Sequence, residues 1–395
     1  MNILMLLDRD FPPDIRVQNE AISLIKEGHI IHLLCYDFGV KESYEVFKGI
    51  HIHRFRIHEQ LTKKSLGLIF MFPLFREIWR HKVFQFINQH AIDAIHIHDL
   101  PLTILTKELK KKGFKVVADM HENYPYMVAE QSYMNTTLGK KVFSKQKWFQ
   151  KEKEWLNAAD QIICVAPEMK SRLQAVLNSS KSISVVPNTY SFNSFGAEQV
   201  KWPQLINRFT GKYIVSYIGG FDPARGIHLL IEAVHKLKDQ IPGLLLVLVG
   251  DGSIKEDLVE MTRILDIEDK VIFEGWQPSK YVEAYIECSS VCIIPHIRSE
   301  QTDNSSPNKL FQYMFMKKPV VSSNCASLEK IIIQENCGLV FQDKNSGDLA
   351  EKLDFLYNNP EKCTQMGNNG RNAVLKKYNW DVTVEPLLEI YRRPI

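Results

Sequence analysis

The sequence predicts an α/β fold of two Rossmann-like domains facing a cleft, each built on a doubly wound parallel sheet. Three observations predict it. Short apolar runs alternate with amphipathic segments along most of the chain, the pattern of strand, helix, strand. That pattern breaks once, over Thr189–Thr210, and then restarts. The apolar runs end in loops carrying glycine, histidine or charge, where open α/β sheets bind ligands.

The elements follow in order. Asn2–Leu7 is a first buried strand, closed by Asp8, Arg9 and Asp10. These charges argue against a signal peptide. A helix follows with Ile15, Ala21, Ile22, Leu24 and Ile25 inward. Ile30–Leu34 and His51–Ile57 are strands, Leu74–Gln89 a helix, Ala94–Ile97 a strand. Leu102–Lys112 is a helix ending at Gly113, and Lys115–Ala118 a strand. Lys140–Ala159 is a long polar helix; Gln161–Val165 and Ser182–Val186 are strands. The second series runs Tyr213–Ile218, Leu244–Val249, Val271–Phe273, Val291–Ile294, Val320–Val321 and Cys337–Phe341 as strands. Its helices are Gly226–Leu237, Lys255–Leu265, Tyr281–Ile286, Ser346–Asn358 and Lys362–Tyr378, with a terminal helix at Trp380–Tyr391. The expected domains are 1–195, 205–375 and a terminal helix over 376–395.

With 395 residues, 45% of them apolar, the chain has material for two or three cores. A net charge of +3 is too small to point to nucleic acid. The seven cysteines are scattered without a CxxC pair, as in a chain of reduced thiols in a cytoplasmic protein. No apolar run approaches the ~20 residues of a membrane-spanning helix.

The chemistry concentrates at four strand ends. In Ile293–Val321 a strand stops at Pro295, a polar loop Arg298–Ser306 follows, and Pro307 opens a helix. Leu310, Phe311, Met314 and Phe315 would bury one face of it, and Pro319 stops it. Free N–H groups and Lys309 at its start suit a diphosphate. In Tyr217–Val234 the pair Gly219-Gly220 lets backbone approach phosphate, and Arg225 offers a forked donor. The bland alternative is an ordinary strand–turn–helix. Gly250 and Gly252 shape the next strand end. In the first half, His121 and Glu122 directly follow a strand, as do His98 and Asp99. Asp14 and Arg16 sit at the start of the first helix, where capping by Asp14 and a surface Arg16 are the simpler reading.

These stretches resemble family 4 of the retaining nucleotide-sugar glycosyltransferases, which have the GT-B architecture. KLFQYMFMKKPVV is similar to the second half of the family's donor-sugar motif, and YIGGFDPARG to its glycine-rich turn. ADMHENYP resembles the Asp-x-His-Glu motif of a branch that builds bacterial surface polysaccharide. The resemblance implies a terminal helix that crosses back onto the first domain, and a UDP- or GDP-linked sugar as donor, with no cofactor and no metal. It implies Arg225 and Lys309 at the diphosphate and His121 near the reaction centre. It implies donor contacts at Gly219, Gly220, Gly250, Trp276, Asn304, Ser306, Asn308, Leu310 and Gln312. Acceptor contacts would fall on Asp14, Arg16, His98 and Glu122, and the acceptor would be a glycan or lipid-linked.

The chain departs from the motif. The family's two acidic positions fall on Asn304 and Gln312, amides that still hydrogen-bond but carry no charge. Asp303 and Glu300 are close enough in sequence to substitute. A nucleotide-sugar 2-epimerase of the same architecture would need carboxylates there. A silent nucleotide-sugar-binding partner would not. A metal on His96, His98, Asp119 and His121 is not expected. Basic residues beside apolar ones over 59–82 and 140–153 (six lysines in the latter) would suit peripheral contact with an anionic membrane.

Overall fold

The computed structural model describes residues 1–58, 73–130, 145–178, 180–192 and 202–392. The chain divides into two units, Met1–Pro187 with Val384–Ile395, and Asn188–Thr383.

The first unit is built on β1 (Asn2–Leu6), β2 (Ile30–Asp37), β3 (Tyr44–Phe47), β4 (Ile50–Arg56), β5 (Ala94–His98), β6 (Lys115–Met120), β7 (Gln161–Cys164) and β8 (Ile183–Val185). Their order is β3-β4-β2-β1-β5-β6-β7-β8, parallel throughout except for the β3–β4 pair. The central strands β1 and β5 are buried on both faces, hence their unbroken apolar character apart from His96 and His98. Trp79, Trp148, Leu105 and Ile97 belong to one core over this sheet. Chain order reverses between β1 and β5, so a crevice opens at their carboxyl ends.

The second unit holds β9 (Tyr213–Ile218), β10 (Leu244–Val249), β11 (Val271–Gly275), β12 (Val291–Ile294), β13 (Val320–Ser323) and β14 (Gly338–Phe341). They run in the order β11-β10-β9-β12-β13-β14, all parallel. This is the dinucleotide-fold order, with its switch point between β9 and β12. Ile227, Leu230, Ile231 and Val234 are buried at helical spacing and share a core with Leu349, Leu353 and Leu356 of helix Ser346–Asn358.

Several expectations change. The segment read as a linker carries helix Pro203–Phe209, whose Leu205 and Phe209 are buried beside Val247 and Tyr285. Tyr190 pairs with Asn379, so this stretch belongs to the second unit from Asn188 onward. The terminal helix is two pieces, Trp380–Thr383 and Glu385–Arg392, and only the second falls in the first unit. There Tyr391 and Leu387 are buried, and Arg392 forks onto Glu27 at 2.8 and 2.9 Å. Leu102–Lys112 begins as a 3-10 turn, Pro101–Leu105. Helices Tyr124–Ala129, Pro167–Val176 and Ala326–Glu335 and the edge strand β3 were not expected. Helix Lys145–Leu156 ends three residues before the expected Ala159; 140–144 and 59–72 lie outside the described residues, so both basic segments are described only in part. No helix among the described residues is long and apolar enough to cross a membrane. All seven cysteines are free.

Candidate active site

In the second unit the switch point gathers two cations. β9 runs out into Gly219 and Gly220, and a short turn brings Arg225 to Gly226. Gly226 is left-handed (φ 65°), and a Cβ there would lie 2.0 Å from the Pro295 carbonyl. Only glycine lets this turn press onto the end of β12, where Ile297 N–H donates to Ala224 O at 2.9 Å. Arg225 Nη1 thereby comes within 3.3 Å of His296 Nε2.

Lys309 arrives from the start of helix Asn308–Phe315. Its Nζ lies 4.2 Å from the Tyr217 ring centroid, a cation–π contact. It fills the space a side chain at residue 219 would need: a Cβ on Gly219 would stand 2.4 Å from Nζ. Burial and the neighbouring Arg225 hold its ammonium well below the ordinary lysine range. His296 is fully buried, and burial, Lys309 and Arg225 keep its imidazole neutral. Among the described residues neither Arg225 nor Lys309 has an ion-pair partner. The helix start adds uncapped backbone, since Pro307 makes no side-chain cap bond. Two cationic side chains brought together without a counter-ion among the described residues, beside open N–H groups, have the chemistry to receive a dianion.

The other expected donor residues divide. Gly250 N–H donates to Gly275 O at 2.8 Å, so the end of β10 adjoins the strand end carrying Trp276. Trp276 is 72% exposed, which rules out packing between helices and leaves its face available to a flat base. Ser306, Asn308 and Gln312 are partly exposed. Leu310 is buried in the core, and its N–H already donates to Pro307 O at 3.1 Å, so it offers a donor ligand nothing. Asn304 is buried, its amide donating to Glu300 O at 2.7 Å. Asp303 does not replace the missing acid: it accepts from Arg298 Nε at 3.0 Å and from Ala326 N–H at 2.8 Å.

In the first unit the ends of β5 and β6 and the helix Ile15–Lys26 converge on Asp119, which is fully buried. It accepts from Arg16 Nη2 at 3.0 Å and sits 2.8 Å from His121 Nε2. Arg16 is not on the surface: it is 7% exposed, bridges to Glu20 at 2.9 Å and donates to Val186 O at 2.7 Å. Burial opposes charge on His121, but Asp119 and Asp99 outweigh it and push its pKa up to about 9. Burial would raise Asp119, yet Arg16 and His121 hold it well below the carboxylate range. Burial lifts Glu20 well above that range. His98 is fully buried and unable to meet an acceptor directly; it lies 3.2 Å from His121 Nε2. Asp14 caps its helix, accepting from Val17 N–H at 3.1 Å, while Glu122 is exposed. Sequence reading did not single out Arg9, which pairs with Asp99 at 2.8 Å, or His296. Each lies two or three residues beyond a strand end, the one signal that could have found them.

Known proteins give this geometry a context. A family model described as "Glycosyl transferases group 1" matches residues 198–373, and one described as "Glycosyltransferase Family 4" matches 15–191. An uncharacterized glycosyltransferase of Methanocaldococcus jannaschii is 22% identical over 382 residues, covering 94% of this chain and 92% of the relative. Sucrose-phosphate synthase from Thermosynechococcus elongatus superposes with a TM-score of 0.79 at 18% identity, over 99% of this chain and 98% of that one. HepE from Anabaena, solved in complex with UDP, gives a TM-score of 0.71 at 16% identity over 99% and 100%. With the two models taking up its two halves in turn, and a fold shared with GT-B enzymes along its length, the chain belongs to family 4 of the glycosyltransferases.

Proposed function

We propose that this glycosyltransferase is a retaining enzyme, moving a sugar from a UDP- or GDP-linked donor held by the second unit to a glycan or lipid-linked acceptor in surface polysaccharide synthesis. The observation that carries the donor half is the unpaired cation pair, Arg225 and Lys309, at the β9/β12 switch point. As the bond from sugar C1 to the diphosphate oxygen breaks, negative charge grows on the leaving group. Arg225, Lys309 and the N–H groups opening helix Asn308–Phe315 are positioned to stabilise it, so the chain brings its own cations to the donor. HepE, bound to UDP, supports a nucleoside diphosphate as the ligand class. The rest follows the family resemblance: the acceptor oxygen attacks the same face of C1, and the leaving phosphate takes the acceptor's proton. His121 then meets the donor sugar near the reaction centre, while Asp14, Arg16 and Glu122 serve the acceptor half, Glu122 directly and Arg16 by holding Asp119. The basic stretches 59–82 and 140–153 would bring the enzyme to an anionic membrane face holding a lipid-linked acceptor.

The test is thermal stabilisation of the full chain by UDP, GDP, ADP and CMP, with and without chelator. A ligand at 100 times its Kd adds about 2.7 kcal/mol. One diphosphate should stabilise selectively, the increment should survive chelator, and Lys309→Ala should lose both the increment and nucleotide-sugar turnover. No response to any of the four, or turnover near wild type in the variant, overturns the donor assignment.

A further inference from the structure

We propose that the first unit holds a four-coordinate divalent transition-metal ion, zinc or a close chemical relative, between Glu20, His96, His98 and Asp119. All four side chains are fully buried, and each offers a ligand atom within 4.8 Å of the others. Glu20 Oε2 lies 3.5 Å from His96 Nε2 and 3.9 Å from His98 Nδ1. Asp119 Oδ2 lies 3.7 and 3.6 Å from the same two nitrogens. These separations are long for hydrogen bonds. They are close to the edges of a tetrahedron around an ion with bonds of ~2.0–2.2 Å, which would span roughly 3.3–3.6 Å.

Two of the four atoms facing this centre are left without hydrogen bonds. Glu20 Oε2 and His96 Nε2 are buried and lack a hydrogen-bond partner. Leaving such groups unsatisfied is costly, and a shared ion removes the cost. The surroundings fit as well. The Tyr391 hydroxyl lies 2.9 Å from His96 Nδ1, which leaves Nε2 to face the centre. Arg16 holds Glu20 Oε1 at 2.9 Å and Asp119 Oδ1 at 3.0 Å, in each case the oxygen not directed at the histidines. His121 Nε2 adjoins two of the four ligand atoms, 2.8 Å from Asp119 Oδ2 and 3.2 Å from His98 Nδ1. A bound dication would favour the ionised form of Glu20 beside Asp119, and four protein ligands make a closed, structural site. His96 and His98 share a face of β5 by the two-residue period, Asp119 comes from β6, and Glu20 from helix Ile15–Lys26. The ion would tie that helix to two central strands.

This inference stands apart from the donor assignment and is tested separately. The full chain is expressed in zinc-supplemented medium, exchanged into metal-free buffer and assayed by elemental mass spectrometry. About one ion per chain is expected, lost in Glu20→Gln and in His96→Gln. Stripped wild-type protein reloaded with Co2+ should show the intense visible bands of four-coordinate cobalt, a readout that needs no variant to fold. His32, His53 and His90 form a second, partly exposed histidine cluster with ring centroids 5.5–5.6 Å apart, and they provide the control. His53→Ala should keep its metal. Less than about a tenth of an ion per chain overturns the proposal. So does a weak six-coordinate cobalt spectrum, or metal that leaves with His53 and stays without His96.

Discussion

The two switch points use charge in opposite ways. At β1/β5/β6 of the first unit nearly every charge is met by another: Arg16 by Asp119 and Glu20, Arg9 by Asp99, His121 by Asp119. At β9/β12 of the second unit Arg225 and Lys309 stand together with a neutral imidazole and an aromatic ring, and among the described residues no carboxylate is within ion-pair reach. The same architectural position therefore serves two purposes. A paired network fixes the geometry of its members and gains little from an added anion. An unpaired one stores electrostatic repulsion that a dianion relieves, so it favours ligand over solvent. Changes in the first unit should thus register mainly as stability, changes in the second mainly as binding and turnover.

The largest effect that could break this contrast is on stability. Asp119→Asn leaves Arg16 buried beside Glu20, a carboxyl that burial biases toward its neutral form, and removing one partner of a buried ion pair costs about 3–5 kcal/mol. Urea denaturation should show the loss, while the diphosphate-induced increment is retained in whatever fraction stays folded. A variant as stable as wild type would mean that the network is not self-neutralising. Lys309→Ala comes next and should be its mirror image. Turnover should fall by about 10²–10³, the usual cost of removing one donor to a developing charge, with little change in the urea midpoint.

Gly219→Ala probes the second unit more gently. The residue holds φ 148°, and the new methyl would meet Lys309 Nζ at 2.4 Å. Strain of about 1–3 kcal/mol is expected, with the ammonium displaced from the Tyr217 face. Calorimetry should then record roughly tenfold weaker diphosphate binding; unchanged affinity would show that the position of Nζ is not what binds the ligand.

Much of the second site was legible because its parts are local. Pro295, Pro307 and Pro319 punctuate the strand–loop–helix stretch, and Lys309 follows the helix-opening proline by two residues. Arg225 is announced by the glycine after it. The first site was legible only in its strand ends, His98 and His121. Arg16 was misjudged because apolar periodicity in its helix favours Ile15 and Ile22, whereas the buried face carries Arg16, Asn19 and Glu20. Arg16 and Glu20 are inside because Asp119 and His96 meet them from strands about 80–100 residues away, a pairing no local pattern encodes. Helix Ala326–Glu335 was missed for a related reason: its first N–H is satisfied by Asp303, distant in sequence, rather than by a capping residue of its own.

The smallest effect is the sharpest test of the contrast, because it reads the unpaired charge directly. With no anion present, burial and Arg225 keep the Lys309 pKa low; a bound diphosphate raises it. Binding therefore takes up protons at any pH between the two values. Affinity is greatest below the free-state pKa and declines as pH rises above it, by at most about tenfold per unit, until the bound-state value is passed. Diphosphates lose their last proton near pH 6, so measurements above about pH 7.5 isolate the lysine. Titration calorimetry in buffers of different ionisation enthalpy should report uptake in that range. Lys309→Arg, charged at every accessible pH, should bind with a flat profile. Proton release on binding, or the same slope in the arginine variant, would mean that the repulsion between Arg225 and Lys309 is not what the ligand relieves.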